Sequence, residues 1–108
     1  MENGKTKIVF KKRVNVWAAE LDIKVNKISI RSMKNKWASY TIKSGMLIFN
    51  SRLLSIEDQL QDYVIVHELL HANVPNHGKL WKSLMSAHLG NYTSLENKLK
   101  EYAIGLRE

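Results

Sequence analysis

Cysteine is absent from the 108 residues, and proline occurs once, at Pro75. Without thiolates the chain can form no disulfide, iron–sulfur cluster or Cys-based zinc finger, and it has no thiol nucleophile. Any metal site must be built from histidine, carboxylate and water. Long apolar runs are missing too. They reach four residues, as in Met46 to Phe49, where a membrane span needs about 20. The opening residues, Met1-Glu-Asn-Gly-Lys-Thr-Lys7, lack the apolar stretch of a secretory signal, and no lipidation motif is present. The expectation is a cytoplasmic protein with no membrane association. Acidic residues are in the minority, 10 against 17 Lys and Arg, for a net charge of +7. The surplus is spread from Lys5 to Lys100, with one cluster at Lys11-Lys12-Arg13. That spread reads as a solvated face, with attraction to nucleic acid as the sharper alternative.

The chain is 44% hydrophobic and 25% charged, which excludes disorder and fits one globular domain. From about Thr6 to Leu21, apolar residues at Val14, Trp17, Ala18 and Leu21 follow the stripe of an amphipathic helix. Lys11, Lys12, Arg13 and Glu20 are expected to face water. Lys27 to Met33 alternates as a half-buried strand, and two β-rich runs, Lys36–Ile42 and Met46–Asn50, flank the turn Lys43-Ser44-Gly45. Ser55 is the expected N-cap of a helix that carries Leu60, Val64, His67 and His71 and stops near Asn73, ahead of Pro75. Asn76 then caps a helix from His77 to about Leu89, closed by Gly90. Leu95, Leu99, Tyr102 and Leu106 mark a C-terminal helix. The fold class is α+β: an N-terminal helix, a three-stranded sheet, and helices backing it. Trp17, Trp37 and Trp81 are expected in the core.

Three of the four histidines, His67, His71 and His77, fall within eleven residues. His67-Glu68-Leu69-Leu70-His71 is an H-E-x-x-H motif on a segment read as helical for independent reasons. Residues i and i+4 stack one turn apart, so both imidazoles can reach one ion at about 2.0–2.1 Å. Glu68 sits about 100° around the helix from His67, which suits contact with metal-bound water. Such water has a pKa near neutrality, and the carboxylate beside it can take its proton. His77, just after the Pro75 turn, is the candidate third ligand, leaving an open position of the catalytic kind. Chance would place this motif in roughly one chain of this length in several hundred, so zinc is preferred over a pair of core histidines.

The sequence here resembles the YgjP-like zinc metallopeptidase domain, whose pattern is H-E-x-x-H-x5-H followed by an aromatic, matched by His67 to His71, His77-Gly78 and Trp81. Upstream, Arg31-x-Met33-x3-Trp37-x-Ser39 and Gly45-x-Leu47-x2-Asn50-x2-Leu53 are similar to that family's R-x-M…R-W-G-S…G…N…L block. Lys36 stands at the motif's arginine, and Ala38 and Tyr40 at its small-residue positions. The likeness spans about Ser29 to Tyr92. A chain so short looks closest to the minigluzincins, which are similar to the catalytic domains of HtpX-type membrane proteases but carry histidine as third ligand. The resemblance implies a small zincin-like domain, one zinc ion per chain held by His67, His71 and His77, Glu68 as general base, and peptide or unfolded-protein substrates.

The expected function is therefore zinc-dependent endopeptidase, with peptide pairing along an edge strand of the sheet. His88, Tyr92 and Tyr63 are candidate donors to the transition state, and Asn50 a candidate cleft residue. Residues 1–92 would form the catalytic domain and 93–108 a helical segment. That segment either packs on its own core or covers the cleft, in cis or as a homodimer swap, bringing Glu96, Glu101 or Glu108 toward the zinc. The alternatives are a basic nucleic-acid-associated binding module and a zinc-binding regulator without activity. SprT-type proteases, which act on DNA-bound proteins, give the first of these its weight.

Overall fold

Val14 and Ala18 do line the buried stripe of the first helix, joined by Phe10 one turn earlier, while Trp17 and Leu21 are half-buried beside them. The helix, α1, spans Glu2–Leu21. The computed structural model describes residues 2–34, 36–41, 43–72, 74 and 78–102, side chains of residues 2–5 excepted. Asn73, Pro75, Asn76, His77, Leu106 and Glu108, all expected to matter, lie outside the described residues. Among the described residues no helix is long and apolar enough to cross a membrane.

The sheet contains β1 (Lys27–Arg31), β2 (Ala38–Thr41) and β3 (Met46–Asn50) in the order β1-β3-β2. The run Met46 to Phe49 takes the centre, paired on both sides, with Met46 and Ile48 half-buried on the face opposite Leu47 and Phe49. Leu47 and Phe49 are fully buried. β2 and β3 form the expected antiparallel hairpin, whereas β1 joins β3 in parallel, Lys27 opposite Met46. Gly45 closes the hairpin turn at φ +68°, and its N–H donates to Thr41 O at 2.8 Å.

The expected helix start at Ser55 is displaced. Asn50 accepts a hydrogen bond from Arg52 N (3.0 Å) and opens a short 3-10 helix, Ser51–Ser55, which Ser55 Oγ closes by donating to Arg52 O. Burial of Leu53 and Ile56 holds this turn, and the buried Gln61 amide donates to both of their carbonyls. The next helix, α2, thus runs Asp58–Leu70. α3 spans Lys79–Leu89 and ends as expected at Gly90, φ +69°. α4 spans Tyr92–Lys100, with Asn91 capping its first turn.

Arg13 does not face water. Its guanidinium donates to Asp62 Oδ1 (2.6 Å) and Asp58 O (2.9 Å) and also meets Gln61, because α2 turns Asp58 and Asp62, one helical turn apart, toward α1. Trp17 Nε1 donates to the same Asp62 oxygen at 3.0 Å. Trp37 and Trp81 are buried, as expected. On the far side of α2, α4 packs through buried Leu99, and Tyr102 donates to Glu57 Oε1 at 2.8 Å.

Candidate metal centre

Tyr63 to Val66, Leu69 and Leu70 are all buried in α2, leaving His67, Glu68 and His71 as the partly open polar groups of its last turns. The regular helix ends sooner than the expected Asn73. His71 is its C-cap, and the chain tightens there: His71 N donates to Glu68 O (3.2 Å) and Ala72 N to Leu69 O (3.0 Å). This i, i+3 bonding satisfies carbonyls that a helix terminus would otherwise leave open.

The two imidazoles stand edge to face with ring centroids 5.0 Å apart, and Glu68 Oε2 lies 3.4 Å from His67 Nδ1. One ligand atom from each of His67, Glu68 and His71 lies within 4.8 Å of the other two. Two imidazoles and a carboxylate suit zinc, which takes nitrogen and oxygen donors in this way. Burial holds His71 below the usual histidine range, and His67 pushes the same way, against Glu68 and the Val74 backbone. The neutral imidazole favoured by that balance is the form that binds metal. The donor set therefore fits the ion that the motif calls for.

Aromatic rings enclose His67. Tyr63, one turn earlier on α2, lies at 5.7 Å between centroids, and Trp81 of α3 stands edge-on at 5.2 Å. Tyr92 in turn meets Trp81 at 5.9 Å, one ring further out. The sequence signalled Tyr63 by its i, i+4 spacing to His67 and Trp81 by its place in the motif, but not their enclosure of the His67 ring. His77 precedes Gly78, the N-cap of α3.

Two other candidates are occupied elsewhere. Asn50 is buried, and its amide donates to Met33 O (3.0 Å) and Lys36 O (2.9 Å) while its oxygen caps the 3-10 helix. It closes a strand end. His88 stands edge-on to Trp17 at 6.2 Å, on the side of α3 that faces α1. Of the acidic tail residues, Glu101 is exposed and adjoins Tyr102, which is anchored at the start of α2. Glu57 lies ten residues ahead of His67, about 15 Å along the axis.

The sequence profile of the YgjP-like metallopeptidase domain matches residues 2–102, nearly the whole chain. The chain belongs to the YgjP-like metallopeptidase family. Its H-E-x-x-H helix and gathered donors are those of a zinc peptidase within that family. The fold is similar to the crystal structure of the metallopeptidase zymogen of Methanocaldococcus jannaschii jannalysin. There the identity is 28% over 88% of this chain and 97% of that one, with a TM-score of 0.80. The metallopeptidase zymogen of Pyrococcus abyssi abylysin shares the fold, with a TM-score of 0.76 and 16% identity over 86% of this chain and 93% of that one. No match is found among curated proteins.

Proposed function

We propose that this YgjP-like peptidase is an endopeptidase in which His67, His71 and His77 hold one zinc ion and Glu68 is the general base. The observation that carries the reading is the gathering of His67, Glu68 and His71 donors within 4.8 Å on one helix end. Bound there, zinc would supply Lewis acidity, lowering the pKa of water and polarising the scissile carbonyl. Glu68 accepts the proton of the attacking water and returns it to the departing amine. Tyr63 and Trp81 restrict the His67 ring and keep bulk water from one side of it. An extended peptide lies along the edge strand β2, against which α2 packs, with main-chain hydrogen bonds giving sequence-tolerant affinity. Placement of His77 just before the helix that bears Trp81 supports its role as third ligand.

Likeness to the jannalysin zymogen supports a latent form in which the segment 93–108 restrains the peptidase until it is displaced. Elemental analysis tests the metal assignment. One zinc per chain is expected in the wild type and less than a tenth of that in His77→Ala, with the helical spectrum retained. Zinc content unchanged in His77→Ala removes the third ligand from the reading. Removal of residues 103–108, the last six of that segment, should raise casein cleavage if they carry the restraint. Unchanged cleavage removes these six residues from the restraint.

A further inference from the structure

Val9, Lys12, Val16 and Glu20 recur along α1 at spacings of three, four and four residues, so they share one face of the helix. This face is turned away from the buried stripe of Phe10, Val14 and Ala18. Its two valines are left open to solvent, Val9 at 52% and Val16 at 66% exposure. Together with Trp17 of α1 and Ala87 and His88 of α3, the face lines a groove of about 570 Å³. Arg13 borders the groove but spends its charge on Asp62. Lys12 and Glu20 form no ion pair among the described residues.

Those two charges are opposite in sign and stand four residues to either side of Val16. A helix face with that symmetry is complementary to itself when two copies lie antiparallel. With Val16 at the two-fold axis, Lys12 of each copy faces Glu20 of the other. Val16 of one copy enters the apolar groove beside Val16 and Trp17 of the second. We propose that this face of α1 is the interface of a symmetric homodimer, with α1 of a second copy of the chain lying antiparallel in the α1–α3 groove. The helices would run side by side from Lys11 to Leu21, about 16 Å or three turns. Apolar contact supplies the affinity, while the exposed charge pairs set direction and register more than strength.

Sedimentation velocity on the metal-replete full chain, from about 5 to 500 µM at low salt, tests the interface. The wild type should show a concentration-dependent dimer, and Val16→Asp should weaken it at least tenfold with an unchanged circular dichroism spectrum. Lys12→Glu and Glu20→Lys each place like charges opposite one another and should also weaken self-association. An equimolar mixture of those two variants should restore dimerisation, since each then meets its complement. Three results would overturn the assignment: a wild-type monomer at every concentration, a dimer indifferent to Val16→Asp, or a mixture that associates no better than its components.

Discussion

The indole of Trp81 stands edge-on to the imidazole of His67, with ring centroids 5.2 Å apart and planes at 85°. The contact joins α3 to the H-E-x-x-H helix at a proposed zinc ligand, so packing of the hydrophobic core and orientation of the site are one problem. Groups that orient a ligand tune affinity by about 10–100-fold.

Trp81→Ala should therefore lower both stability and metal affinity. A buried Trp to Ala change costs about 3–5 kcal/mol, and zinc affinity should fall about tenfold. Trp81→Phe, which keeps a ring against His67, should recover most of the affinity. Thermal melts of the apo-protein and competition with a zinc chelator separate the two effects.

The link between α1 and α2 is concentrated in Asp62, which accepts from both Arg13 and Trp17. Asp62→Ala would remove an acceptor shared by two donors, at a cost of about 1.5–3 kcal/mol, the range for hydrogen bonds to charged groups. A double-mutant cycle with Arg13→Met should show coupling of about 1 kcal/mol or more in urea unfolding. Additive effects would mean that the contact does not stabilise the fold.

Tyr102 and Lys98 hold Glu57 below the usual carboxylate range, the Tyr102 hydroxyl most strongly, and Glu57 pushes Tyr102 up in return. A carboxylate depressed in the folded state stabilises it above the unfolded pKa, near 4.5. That contribution is lost as pH falls through the lower folded value. A raised tyrosine contributes below its unfolded pKa, near 10, and the contribution is lost as pH rises through the higher folded value. Tyr102→Phe should flatten both limbs of the melting-temperature profile while leaving neutral-pH zinc content unchanged. Glu57 is exposed and Tyr102 half-buried against the core.

Gly45 carries a conformational and a steric requirement together. Its φ is +68°, and a Cβ there would come within 3.0 Å of Asn26 Nδ2, which itself donates to Ser44 O. Gly45→Ala should cost about 1–2 kcal/mol from the left-handed backbone alone, with the crowding against Asn26 added. Chemical unfolding measures it, and a neutral substitution would place the turn in another conformation.

Much of this was readable from local pattern. The stripe of Val14, Trp17, Ala18 and Leu21 located α1, and glycines at 45 and 90 located a hairpin turn and a helix end. The i, i+4 histidines located the helix on which the candidate metal donors gather. What local pattern missed came from long-range neighbours. Arg13 looks like any surface basic residue until Asp58 and Asp62 are folded opposite it. Ser55 looks like a helix cap until Leu53 and Ile56 are buried and hold a 3-10 turn in its place. The parallel pairing of β1 with β3 depends on which edge of the hairpin the first strand reaches, and alternation within β1 carries no information about that. Asn50 and His88 have side chains suited to chemistry, but the fold commits Asn50 to backbone groups and sets His88 against Trp17.

In the proposed mechanism Glu68 moves the proton at a histidine-bound zinc. Its most direct test is peptide cleavage by Glu68→Gln, with zinc content measured on the same samples. Zinc equal to the wild type is expected, with a rate lower by about 10²–10⁴-fold, the span that general acid–base catalysis contributes. Full activity in zinc-replete Glu68→Gln would contradict it.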